Sequence, residues 1–108
     1  ICLMAEKAGR TAGYLLVYTA ADEAEIARIA VVKELQRQGV ARALLAELES
    51  VCESEGIKKI LLDVRCGNAA ARALYAAAGF KEDGIRQRFY ENPVEDAVLM
   101  SRELEINA

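Results

Sequence analysis

Histidine and tryptophan are both absent from these 108 residues, and the first absence excludes more chemistry than any residue present does. Without an imidazole there is no Ser-His-Asp or Cys-His mechanism, and a catalytic zinc site loses its commonest ligand. Cys2, Cys52 and Cys66 are odd in number and lack metal-ligand spacing. They read as reduced structural thiols, and no metal is expected. No apolar run approaches the ~20 residues of a membrane helix, and the N-terminal segment lacks a signal-peptide layout. The expectation is therefore no membrane partner and a cytoplasmic location. Basic residues number 14 against 17 acidic ones, for a net charge of −3. A protein that grips nucleic acid by its phosphates carries a basic excess, so no direct nucleic-acid partner is expected. A mildly acidic surface suits a basic peptide or an amine better. Pro93 is the sole proline, and no Pro/Gly/Ser-rich linker or repeat divides the chain, so residues 1–108 read as one domain.

What is present is 54% hydrophobic and 29% charged, the balance of a globular protein with a core. Residues 1–5 are apolar and end at the turn signal Lys7-Ala8-Gly9-Arg10, and residues 11–19 return as a second strand. After Ala21-Asp22-Glu23, residues 25–32 make a third. From Gln38 to Glu55 the apolar positions Val40, Ala41, Leu44, Leu45, Leu48, Val51 and Cys52 recur at three- and four-residue spacing, which predicts a helix closed by Gly56. Residues 57–65 read as a strand with Ile60, Leu62 and Val64 on one face and Leu61, Asp63 and Arg65 on the other. Asn68 can cap a second, alanine-rich helix over residues 69–78, closed by Gly79. Residues 80–85 and 97–104 supply two more strands, joined by the polar stretch 86–96. The order β-β-β-α-β-α-β-β predicts an α/β (α+β) fold, a mixed sheet flanked by helices.

The stretch that organises the chain is the strand end Ile29-Ala30-Val31, the loop Gln36-Arg37-Gln38-Gly39-Val40-Ala41 and the helix that follows. The first N–H groups of a helix lack intrahelical partners and carry the positive end of its dipole, so an anion can lie across them. Gly39 and Ala41 lack the bulk that would hold it off, and Arg37 and Arg42 add positive charge. A helix start that merely needed a glycine fits these six residues equally well. It is not a Walker loop, because no Gly-Lys-Ser/Thr follows, and it lacks the three glycines of a dinucleotide fingerprint. Two further residues invite a chemical reading. Asp63 is a carboxylate within an apolar strand, and equally fits an aspartate paired with arginine. Tyr75 is an aromatic on an alanine helix, a position that is usually core.

The spacing Gln36-x-x-Gly39-x-Ala41 resembles the acetyl-CoA loop of the GNAT-type N-acetyltransferases. Asp63-Val64-Arg65, Asn68-Ala69-Ala70-Ala71, Ala73-Leu74-Tyr75 and Gly79-Phe80, with Arg86-x-x-Phe89-Tyr90 and Glu95-Asp96-Ala97 behind them, resemble in order and spacing the bacterial ribosomal-protein-alanine N-acetyltransferases. The resemblance runs from about Glu25 to Leu104. It implies a mainly antiparallel GNAT sheet and acetyl-CoA as co-substrate. It also implies transfer of acetyl to the N-terminal α-amine of a protein, with an alanine-starting small-subunit ribosomal protein as the partner. In that family the backbone of Ile29, Ala30 and Val31 would hold the acetyl and pantetheine part. Arg37, Gln38, Gly39, Val40, Ala41 and Arg42 would hold the pyrophosphate, and Asn68 would touch the cofactor. Asp63 would stand at the general base position and Tyr75 would be the general acid on the departing thiolate.

Two departures bear on that reading. The family has Glu where this chain has Asp63, one methylene shorter, so a water would have to bridge to the amine. The family also begins with a strand and one or two helices, and this chain opens at Ile1, inside an apolar run. The expectation is an N-terminally incomplete domain, with an exposed edge or apolar patch that favours self-association. Acetylation of a lysine or polyamine, and a CoA-binding module without turnover, are the alternatives. Glu91, Glu95 and Asp96 are candidates to face a basic peptide, against the reading that they are a solvated loop.

Overall fold

The alternation Leu15-Leu16-Val17-Tyr18 should send Leu15 and Val17 to one side of a strand and Leu16 and Tyr18 to the other. The computed structural model of the chain, which describes residues 1–104, buries the first pair and leaves Tyr18 64% exposed. These residues lie on β2 (Arg10–Ala20), between β1 (Cys2–Lys7) and β3 (Glu23–Val31). A short 3-10 turn (Lys33–Leu35) then leads to α1 (Val40–Ser54), β4 (Lys59–Arg65), α2 (Ala69–Ala77), β5 (Lys81–Tyr90) and β6 (Glu95–Glu103). The expected element order is the observed one.

The strands form one six-stranded sheet in the order β1-β2-β3-β4-β6-β5. Every neighbouring pair is antiparallel except β3 and β4. The connections β3-α1-β4 and β4-α2-β5 both join parallel strands and both step the same way across the sheet. A right-handed crossover each time therefore puts both helices on the same face. The core confirms this: Leu44, Leu45, Leu48 and Cys52 of α1 and Tyr75 of α2 share one buried cluster with Leu15, Val17, Ile60, Leu62, Val64, Val98 and Met100. Burial pushes the Cys52 thiol up, which keeps it protonated as a small core residue. The opposite face carries Tyr14, Leu16, Leu61, Asp63 and Leu99, all half-buried, with Met4 62% exposed.

Arg102 of β6 joins the two helices beneath their C-terminal halves. Its guanidinium donates to Glu49 of α1 at 2.6 and 2.7 Å and to the Ala78 carbonyl at the end of α2 at 2.6 Å. A bidentate, half-buried pair holds better than a solvated one. Arg102→Met should lower unfolding free energy by about 1–2 kcal/mol. Urea midpoints check this, and Glu49→Gln on top of it should add little.

One boundary differs from the expectation. The polar stretch 86–96 is not a long connector: β5 runs on to Tyr90 and β6 begins at Glu95, leaving a tight turn between them. β5 is an edge strand exposed along almost its whole length, so no buried face imposes alternation on its sequence. An irregularity between Arg86 and Tyr90 absorbs the register shift. There Arg88 takes φ 51°, and its N–H donates to Asp96 Oδ1 at 2.9 Å. Among the described residues, no helix is long and apolar enough to cross a membrane.

Candidate active site

β3 and β4 pair only over Glu23–Glu25 with Lys59–Leu61. Beyond Leu61, β4 stays with β6, and β3 stays with β2 up to Val31, so the two parallel strands part into a wedge. The Val32 N–H donates to the Ala12 carbonyl, so in this antiparallel register Ala30 spends its own backbone groups on Tyr14. The alternate residues, Ile29 and Val31, therefore turn their N–H and C=O groups toward the wedge. Gly13 makes this close approach possible, because a Cβ there would lie 2.6 Å from the Ala30 carbonyl oxygen. The sequence reading grouped Ile29, Ala30 and Val31 together; the register separates their backbone roles.

The loop at the mouth of the wedge presents free backbone N–H groups that could hold an anion. Arg37 (φ 65°) and Gly39 (φ 84°) are both left-handed, with Gln38 between them not so, an alternation that gathers peptide N–H groups to one side. Gly39 is the N-cap of α1, and the free amides of Val40, Ala41 and Arg42 follow, with no acidic side chain in the first turn to occupy them. Gln36 Nε2 donates back to the Val31 carbonyl at 3.2 Å, tying loop to strand. Gln38 does other work than expected of it. Its amide accepts from Lys7 Nζ at 2.8 Å and donates to the Glu34 carbonyl at 3.2 Å, bracing the loop from outside.

The wedge, this loop and the start of α2 enclose an open cleft of about 570 Å³. Ile29, Ala30, Val31, Arg37, Gly39, Val40, Ala41 and Arg42 line it, with Ala70, Ala71 and Leu74 closing the far wall. The small side chains of α2 are what leave the room. Asn68 stands outside this lining: its Oδ1 accepts from the Ala71 N–H at 3.0 Å, so its oxygen is spent as the N-cap of α2. Of the ten residues expected to hold a cofactor, eight meet in one cleft and two brace it.

Asp63 and Tyr75 lie on opposite sides of the sheet. Tyr75 is 5% exposed on the helix face, its ring edge-on to Phe80 at 5.7 Å. Burial pushes its phenol up, and the neighbouring Tyr90 adds to that. Asp63 is half-buried on the helix-free face. The Tyr90 phenol is pushed up first by burial and then by the Asp63 charge, while Arg65 pulls it back down. Because the strands part beside Asp63, a molecule held against the helices can meet a group presented from the other face.

Tyr90 is the residue that sequence reasoning missed. Nothing in a polar stretch shows that an arginine 25 positions earlier packs on it. The Arg65 guanidinium carbon lies 4.4 Å from the centre of the Tyr90 ring. The guanidinium also donates to the carbonyls of Pro93 (3.2 Å) and Glu91 (3.3 Å) and to Glu95 Oε1 (3.4 Å). Glu95 Oε2 accepts from the Gly67 N–H at 2.5 Å. Glu95 and Asp96 are thus engaged internally, and of the three acidic candidates only Glu91 keeps its carboxylate free of a partner among the described residues. No cluster of potential metal ligands occurs among the described residues.

Comparison with known proteins bears on the fold and the family. The chain is 41% identical over 95 residues to the [ribosomal protein bS18]-alanine N-acetyltransferase of Escherichia coli K12, covering 86% of this chain and 64% of that protein. The chain thus spans slightly less than two thirds of the curated relative's length. Its fold matches the crystal structure of the ribosomal-protein-S18-alanine N-acetyltransferase from Escherichia coli with a TM-score of 0.92 at 35% identity, over 100% of this chain and 71% of the other. A GNAT family acetyltransferase from Elizabethkingia anophelis, with acetyl-CoA bound, matches with a TM-score of 0.86 at 25% identity, over 95% and 75% of the two chains. Residues 1–80 match the family model described as the acetyltransferase (GNAT) family, and the chain belongs to that family.

Proposed function

We propose that this protein moves the acetyl group of acetyl-CoA to the N-terminal α-amine of a protein in the cytoplasm, and that its acceptor is a ribosomal protein beginning with alanine. The observation that carries the reading is the cleft itself. Free amides at the α1 N-terminus suit a pyrophosphate, and the outward-turned backbone of Ile29 and Val31 suits an extended amide chain. Leu74, next to Tyr75 in the chain, closes the far wall of that cleft, and Asp63 follows the point on β4 where the two parallel strands part. The acceptor class follows the name of the Escherichia coli relative.

The chemistry asks little of the protein. An α-amine, with a reference pKa of about 7.7–8.0, gives up its proton far more readily than a lysine at about 10.4. Asp63, through a water that makes up for its short side chain, takes that proton. The neutral nitrogen attacks the thioester carbonyl, sheds its second proton through the same water to solvent, and the carbon–sulfur bond breaks. The departing thiolate then takes the Tyr75 proton, which a raised phenol pKa keeps in place at neutral pH. No covalent intermediate on the enzyme is needed.

The test is acetyl transfer to a short peptide starting with free alanine, beside the same peptide N-terminally blocked and carrying a lysine. The expected result is transfer to the free α-amine only, reduced about 10²-fold or more in Asp63→Asn. Transfer to lysine would move the reading to a different acceptor. Tight acetyl-CoA binding with no turnover on any amine would make the chain a CoA-binding module.

A further inference from the structure

We propose that Arg65 is the positioning residue of the acceptor side, and that it acts through Tyr90; this rests on the acetyl-transfer reading above. Arg65 stands two residues after Asp63 on β4, so both project from the helix-free face. The cleft for the acetyl donor lies on the helix face, and an acceptor must therefore reach Asp63 from the side that Tyr90 and the 91–94 turn border.

That turn is held from one point. The Tyr90–Glu95 pair closes the hairpin, and between those two residues the Arg65 fork takes the carbonyls of Glu91 and Pro93. Its plane covers the Tyr90 ring, and its charge meets Glu95, whose second oxygen reaches Gly67. One guanidinium thus fixes both the Tyr90 ring and the loop that follows it. The arrangement needs a planar fork. A lysine offers a point charge that can meet Glu95 but cannot stack and donate to two carbonyls together. Tyr90 is near enough to Asp63 to feel its charge, so a ring released from Arg65 would leave the wall of the acceptor path unfixed while the donor cleft stayed whole.

The experiment compares Arg65→Met, Arg65→Lys, Tyr90→Ala and the double variant Arg65→Met with Tyr90→Ala. Kinetics are measured on the alanine-starting peptide at saturating acetyl-CoA, with acetyl-CoA affinity measured separately. Arg65→Met should raise peptide KM about tenfold while kcat changes less than about threefold and acetyl-CoA affinity holds. Arg65→Lys should recover part of the loss, and the double variant should be no worse than Tyr90→Ala alone, as for two residues acting as one unit. An unchanged peptide KM, additive losses, or kcat and acetyl-CoA affinity falling together would overturn the proposal. A wild-type chain that acetylates no amine would sink the acetyl-transfer reading instead. In that case the Tyr90 ring resonances decide for Arg65: they should move in Arg65→Met and, to a smaller extent, in Arg65→Lys, and resonances that stay put in both defeat it.

Discussion

Tyr75→Phe should lower kcat for transfer to an alanine-starting peptide by about 10²–10⁴-fold, the range of a lost general acid, with acetyl-CoA affinity within about twofold of wild type. The substitution is unusually clean. The ring stays in its pocket against Phe80, and the hydroxyl makes no protein hydrogen bond among the described residues, so only the transferable proton is removed. Stopped-flow or steady-state transfer assays read the first quantity and calorimetry the second. A variant with full kcat would show that the thiolate leaves without help from this phenol.

The same group makes a second, opposite-signed statement at high pH. Burial holds the Tyr75 phenol above its ordinary value, so the folded state favours the neutral form. That contribution to stability is complete below the unfolded value of about 10 and is lost as pH rises through the raised folded one. Wild type should therefore lose more stability than Tyr75→Phe on going from pH 9 to pH 11. The variant that is nearly inactive at neutral pH is the one less sensitive to alkali.

Much of this was readable in the chain because burial writes periodicity. The α1 stripe from Val40 to Cys52 and the split of Ile60, Leu62 and Val64 from Leu61, Asp63 and Arg65 are each forced by a face that packs on one side only. The capping role of Asn68 was equally legible, since a short polar side chain before an alanine run has few other uses. What periodicity cannot write is pairing between distant strands. That β3 and β4 part after Leu61, that Ala30 turns its backbone away from the cleft while Ile29 and Val31 turn theirs in, and that Tyr75 and Asp63 come from opposite faces all follow from register. The edge strand β5 was hidden for a related reason. Exposed along almost its whole length, it carries no alternation, and its second half reads as a loop. Arg65 and Tyr90 belong with these long-range facts, since their meeting depends on how the β5–β6 hairpin closes.

Ala41→Glu should weaken acetyl-CoA binding about 100-fold while making the free protein more stable by about 0.3–1 kcal/mol. Ala41 is the second residue of α1 and lines the cleft, and the first turn of that helix holds no acidic side chain. A carboxylate is what an unligated helix N-terminus ordinarily prefers there, because it satisfies free amides and meets the positive end of the dipole. Its absence leaves those amides free, a small cost to the folded chain that keeps them available to an anion from outside. Filling the place from within recovers the stability and sets a fixed negative charge where a phosphate would lie. Urea unfolding without ligand and calorimetric titration with acetyl-CoA should therefore move in opposite directions. A variant that gains stability and still binds acetyl-CoA normally would show that the pyrophosphate lies elsewhere, and losing both would mean the glutamate had distorted the loop. Ala41→Gln separates charge from bulk: it should keep most of the affinity if repulsion is the cause and lose it if the side chain simply fills the space.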